Sequence, residues 1–140
     1  MAKDGKHVIH AGGIFPNPTL NREGPASMPI LPGTIGVFAS GFTPAVSGNE
    51  AAIFYVANYD YLRCKTVDDE YQPSDMVVAI HPISGMFLNV RAAAGTYKKG
   101  DEVGVSNGKI VAGATLLGVS AFMEETITAE EDDLVRIVIK

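Results

Sequence analysis

Val103-Gly104-Val105-Ser106-Asn107-Gly108-Lys109-Ile110-Val111 decides the fold class of this chain. Val103 and Val105 sit at the two-residue period of a strand, and Ile110-Val111 resume an apolar run beyond the polar centre. A two-residue connection between twisted antiparallel strands needs positive φ at both central positions, and Asn-Gly tolerates that with least strain. The stretch therefore reads as a β-hairpin with a type I′ turn.

From Thr34 onward the chain has the same texture. Short runs rich in β-branched and aromatic residues alternate with Gly, Pro, Asn and Asp. The expected strands are Thr34 to Ala39, Ala52 to Val56, Tyr61 to Val67, Met76 to Ile80, Phe87 to Ala92, Glu102 to Val105, Lys109 to Val111, Leu116 to Met123 and Leu134 to Ile139. Helical periodicity is scarce. Gly48 to Ala57 fits a helical apolar face as well as a strand, and Glu130 to Asp133 read as a solvated acidic turn. The expected fold class is mainly β, with a small β-barrel or β-sandwich-like body over residues 34–140.

Residues 1–33 read differently. Pro16, Pro18, Pro25, Pro29 and Pro32, with Gly12, Gly13, Gly24 and Gly33, interrupt every candidate helix and favour extended backbone. The same segment carries Ile9, Ile14, Phe15, Leu20, Ile30 and Leu31, apolar side chains that a free tail would leave in water. An extended N-terminal arm that lays these six residues against a partner accounts for both features. About 30 residues reach up to about 100 Å, enough to cross to a neighbouring subunit.

Composition narrows the function classes. A 140-residue chain buries a sufficient core without disulfides or metals. The net charge is -5, and residues beyond 30 carry 8 basic and 14 acidic side chains, a field that repels phosphate. No nucleic-acid partner is expected. Cys64 is the only cysteine, so no internal disulfide forms, and a small buried apolar role is expected for it. The start has no apolar signal-peptide core, and Ile110 to Met123 falls short of the ~20 apolar residues of a spanning helix. No membrane partner is expected, and synthesis in a reducing cytoplasm follows.

Candidate chemistry is sparse. His7 and His10 have a metal-compatible spacing but no third ligand nearby, and His81 reads as a turn histidine. Asp68, Asp69, Glu70 and Asp75 lack the alternating oxygens and central glycine of an EF-hand loop. Gly95 to Gly100 lacks the Gly-Lys-Ser/Thr ending of a phosphate loop. Paired carboxylates for glycoside hydrolysis need not be close in sequence, and nothing nominates a pair among the acids. No catalytic residue, metal or cofactor is expected.

The carboxy-terminal half carries a recognisable order of motifs. Tyr97-Lys98-Lys99-Gly100-Asp101 feeds a strand, and Asn107-Gly108-Lys109-Ile110-Val111-Ala112 turns a hairpin. Leu117-Gly118-Val119-Ser120-Ala121-Phe122-Met123 follows, and Asp133-Leu134-Val135-Arg136-Ile137-Val138-Ile139 closes the chain. With Met76 to Arg91 before it, this order resembles the head decoration (capsid cement) proteins of tailed bacteriophages over about the last 65 residues. The resemblance implies a barrel-like β body that oligomerises on the outer capsid surface of the virion and strengthens contacts between major capsid protein subunits. It favours a homotrimer, with a homodimer as the alternative. The arm, with Phe15 and its prolines, departs from the family pattern, so its adhesive role rests on physics alone.

Two other readings stay open. A tail or baseplate component uses the same all-β logic, and copy number per particle separates it. A carbohydrate-binding module or small hydrolase is the third; Tyr55, Tyr59, Tyr61 and Tyr71 offer aromatic surface for a sugar, although the chain has no Trp.

Overall fold

The computed structural model of the protein describes residues 5–15, 21–47, 50, 52–113 and 121–140. Its strands are β1 (His10–Gly13), β2 (Asn21–Pro25), β3 (Ile35–Ala39), β4 (Gly41–Pro44), β5 (Tyr55–Ala57), β6 (Met76–Ile80), β7 (Met86–Arg91), β8 (Gly95–Tyr97), β9 (Glu102–Ser106), β10 (Lys109–Ala112), β11 (Ala121–Met123), β12 (Ile127–Ala129) and β13 (Leu134–Ile139). The fold is mainly β, and every paired strand is antiparallel. Among the described residues the helical element is a single 3-10 turn, Tyr61–Arg63.

A six-stranded sheet runs β1-β7-β13-β11-β9-β10, a five-stranded sheet runs β2-β6-β5-β3-β4, and β12 pairs with β8 as a separate ribbon. A parallel bridge between Ala92 and Ile110 draws the end of β7 toward β10. None of the sheets closes into a barrel. The two larger sheets instead share one core, to which Ile35, Val56 and Ile80 come from one sheet and Leu88, Val103 and Ile137 from the other. The body is sandwich-like because each sheet turns an apolar face inward.

The five-stranded sheet is apolar on its second face as well. Phe42, Tyr55, Ala57, Val77 and Ala79 form a second core with Ala26, Ile30 and Tyr71. Burial on both faces explains why Val77-Val-Ala-Ile80 reads as a continuous apolar run, not an alternating one.

The Asn107-Gly108 hairpin is as expected. Ser106 pairs with Lys109 across the turn, and φ is 50° at Asn107 and 77° at Gly108. The turn also joins the sheets. Asn107 N–H donates to Val46 O at 3.0 Å, Gly108 N–H to Ala45 O at 2.7 Å, and Ile35 N–H to Gly108 O at 2.9 Å.

Within residues 1–33 the described strands His10–Gly13 and Asn21–Pro25 are extended, as expected, yet they lie along the body's own strands. β1 pairs with β7, and β2 pairs with β6 across five residues from Asn21↔Ile80 to Pro25↔Met76. Both pairings satisfy a row of strand-edge N–H and C=O groups that would otherwise face solvent. Gly33 is no boundary either, since its N–H donates to Ala57 O at 2.7 Å and its carbonyl accepts from Arg91 N–H at 3.0 Å. The expected division at residue 33 between arm and body is therefore corrected.

Three further expectations change. Tyr61 to Val67 is not a strand: Asp60 accepts from Arg63 N–H at 3.3 Å, Cys64 is left-handed at φ 57°, and Asp69 accepts from Thr66 N–H at 2.7 Å. Local side-chain bonds to the backbone have won over strand pairing there. Cys64 consequently lies exposed, not buried. The Ala52 to Val56 strand shifts to Tyr55–Ala57, and of Leu116 to Met123 only Ala121–Met123 falls within the described residues, as a strand.

Candidate interaction surface

The apolar residues assigned to a partner separate into two groups. Ile9 and Ile30 are fully buried in this chain's own cores. They are corrected from partner-binding to structural residues: Ile9 O accepts from Asn89 N–H, Ile30 exchanges backbone bonds with Tyr71, and both side chains lie inside. Leu31 is half-buried. Leu20 lies outside the described residues. Ile14 and Phe15 remain, at 53% and 65% exposed, with Val8 also exposed beside β1.

Their position is tightly specified. Gly13, at φ 75°, passes so close to the opposite turn that a Cβ there would lie 2.0 Å from Gly85 O. Ile14 N–H then donates to that carbonyl at 3.0 Å, and the Ile14 side chain packs over Gly85. His10 Nε2 lies 3.0 Å from Ile14 O, and the Phe15 ring meets the His10 ring edge-on at 5.1 Å between centroids. Upstream, the buried Asn89 donates from its backbone to Ile9 O at 2.8 Å and from Nδ2 to Val8 O at 2.7 Å. Lys6 and Glu125 form an ion pair at 3.1 Å. Ile14 and Phe15 are thus apolar groups presented at the outer edge of the six-stranded sheet, whose β1 has β7 on one side only.

A second exposed apolar group was missed by sequence reading. Leu62, 73% exposed, and Tyr61 stand on the 3-10 turn that Asp60 caps, and the Tyr61 ring meets Tyr59 at 5.9 Å. The pattern Asp60-Tyr-Leu-Arg63 carries a signal for this turn, an Asx cap three residues before a backbone donor.

Several of the groups singled out for chemistry are engaged within the fold. Asp69 and Asp75 accept backbone N–H groups in their own turns at 2.7 and 2.8 Å, and the Thr66 amide holds the Asp69 carboxyl below the usual carboxylate range. Asp68 lies 3.9 Å from the Arg91 guanidinium. His81 Nδ1 contacts Pro82 O at 3.1 Å, and its ring meets Tyr55 edge-on. Among the described residues no three His, Cys, Asp or Glu side chains gather at metal-binding distance. Tyr55 and Tyr71 are buried, so the four tyrosines do not share one exposed platform. Tyr71 Oη donates to Asn58 O at 2.7 Å, and burial pushes its phenol up to about 12.

Among the described residues no helix is long and apolar enough to cross a membrane. No known protein-family model matches the chain, and no curated protein matches it closely enough to count as a relative.

Proposed function

We propose that this protein is a non-enzymatic virion component that decorates the outside of a tailed-phage head and stabilises contacts between major capsid protein subunits. Its motif order over the carboxy-terminal half supports the reading. The observation that carries it is the presentation of Ile14 and Phe15: two large apolar side chains, more than half exposed, on a segment tied to Gly85 through the Ile14 amide and to Asn89 through Val8 and Ile9 upstream. Large exposed apolar residues held in place suit binding by surface complementarity, since the ordering cost is met before the partner arrives. Such adhesion needs no chemistry.

The adhesive element in this reading is narrower than the whole arm. It comprises Ile14, Phe15 and the neighbouring Val8, while Ile9 and Ile30 hold the body together. The subunit self-associates, a trimer being favoured over a dimer by the family pattern.

Imaging the protein on its native particle tests the reading directly. Many copies spread over the head, with the Ile14-Phe15 edge against the capsid protein, are expected. A few copies confined to the tail would replace this reading with a tail or baseplate role, and failure to sediment with particles would remove it.

A further inference from the structure

Of the six asparagines in the chain, only Asn107 precedes glycine. That order permits a reaction between neighbours, because no side chain shields the glycine nitrogen from the asparagine carboxamide. In this fold the nitrogen is already engaged: Gly108 N–H donates to Ala45 O at 2.7 Å, while Asn107 N–H donates to Val46 O at 3.0 Å. Gly108 itself is buried, wedged where a Cβ would lie 2.7 Å from Thr34 Cγ2 and 2.9 Å from Pro44 Cβ. Asn107 is exposed to solvent.

We propose that Asn107 is a spontaneous deamidation site whose reaction is restrained by the bond from Gly108 to Ala45 and released when the seam between the two sheets opens. The Gly108 nitrogen gives its proton to solvent hydroxide and bonds to Asn107 Cγ. The Cγ–Nδ2 bond breaks as the side-chain nitrogen takes a proton from water and leaves as ammonia, which regenerates hydroxide, and a five-membered succinimide remains. Water opens the ring at either carbonyl, leaving an aspartate or an isoaspartate at the position. While its proton is held by Ala45 O and the turn is fixed at positive φ, the nitrogen has neither the freedom nor the ionisation to attack.

The product does not fit the intact seam. An isoaspartate adds one methylene to the main chain, so the Asn107 and Gly108 amides lose their register with Val46 O and Ala45 O. Either product adds a negative charge to a chain already at -5. Molecules that open once and react stay marked.

The test is peptide mapping by mass spectrometry, with enzymatic isoaspartate labelling, on the full chain aged in warm, mildly alkaline buffer with and without denaturant. In denaturant, Asn107 is expected to react ahead of the other asparagines. In the native state its rate is expected to fall by about tenfold or more, because only the opened fraction reacts. At intermediate urea, amide exchange of Gly108 and deamidation of Asn107 should rise together. Equal rates in native and denatured protein overturn the proposal, as does deamidation while the Gly108 amide stays protected, or earlier reaction at another asparagine in the unfolded chain.

Discussion

Arg91 Nε donates to Pro32 O at 2.7 Å, joining positions 59 residues apart in the chain. The same guanidinium donates to Asp132 O at 2.8 Å and to Val67 O, so one side chain, 6% exposed, ties three loops to the end of β7. Arg91→Ala should destabilise the protein by about 3 kcal/mol or more, since each buried carbonyl left without a donor costs about 1–3 kcal/mol. Arg91→Lys should recover only part, because an ammonium lacks the planar fork. Denaturant unfolding measures both, and a loss within error for Arg91→Ala would remove this residue from the account of stability.

Gly108 meets two demands at once, positive φ and closeness to Thr34 and Pro44. Gly108→Val should therefore cost more than the ~1 kcal/mol of a turn mismatch alone, with a further penalty of about 1–3 kcal/mol from overpacking. Gly108→Ala should fall between the two. Thermal melts of the three proteins give the order, and an unchanged melting temperature for the valine variant would contradict the turn geometry.

Removal of residues 1–33 should abolish cooperative unfolding. The cut deletes β1 and β2 and takes Ile9 and Ile30 out of the cores. As a milder check, Ile9→Ala should cost about 2–5 kcal/mol, the usual range for truncating a buried isoleucine. A shortened chain that melts like the full one would restore the independent-arm picture.

Phe15→Ala should leave stability within about 0.5 kcal/mol, as an exposed substitution does. If the decoration reading holds, the same change weakens particle binding by up to about 1.5–3 kcal/mol, and added salt alters that loss little because apolar burial drives it. Co-sedimentation at two salt concentrations reads both effects. Undiminished binding would acquit Phe15 as an adhesive residue.

The Tyr71 phenol is held neutral by burial, with the nearby Asp60 charge acting in the same sense, and its pKa lies at about 12. A folded pKa above the unfolded value of about 10 means the contribution is whole below pH 10 and is lost as pH rises through the folded pKa. Tyr71→Phe should cost about 1 kcal/mol near neutral pH through the lost bond to Asn58 O, and should flatten the decline in this alkaline window. Stability curves for the two proteins should converge as pH rises, and parallel curves would count against the assignment.

The β class was legible wherever the signal was local. Met76–Ile80 and Leu134–Ile139 form strands with the bounds their apolar runs predict, and Asn107-Gly108 turns as its residue types require. Strands without an apolar run were missed. His10-Ala-Gly-Gly13 and Asn21-Arg-Glu-Gly-Pro25 have little strand propensity, and they are strands because β7 and β6 offer open edges. The candidate surface was legible only as a list of apolar residues in an extended segment; which of them face solvent was not.

A mainly β chain with extended amino-terminal strands, one hairpin placed to the residue and an acidic charge balance follow from local residue types, because propensity, turn chemistry and composition act over a few residues. That Ile9 and Ile30 belong inside while Ile14 and Phe15 stay outside, and that Arg91 joins three loops, follows from long-range packing. Successive side chains on a strand alternate in facing, so exposure depends on the register with a partner far away in the chain, and no local pattern in His10 to Gly13 encodes that register.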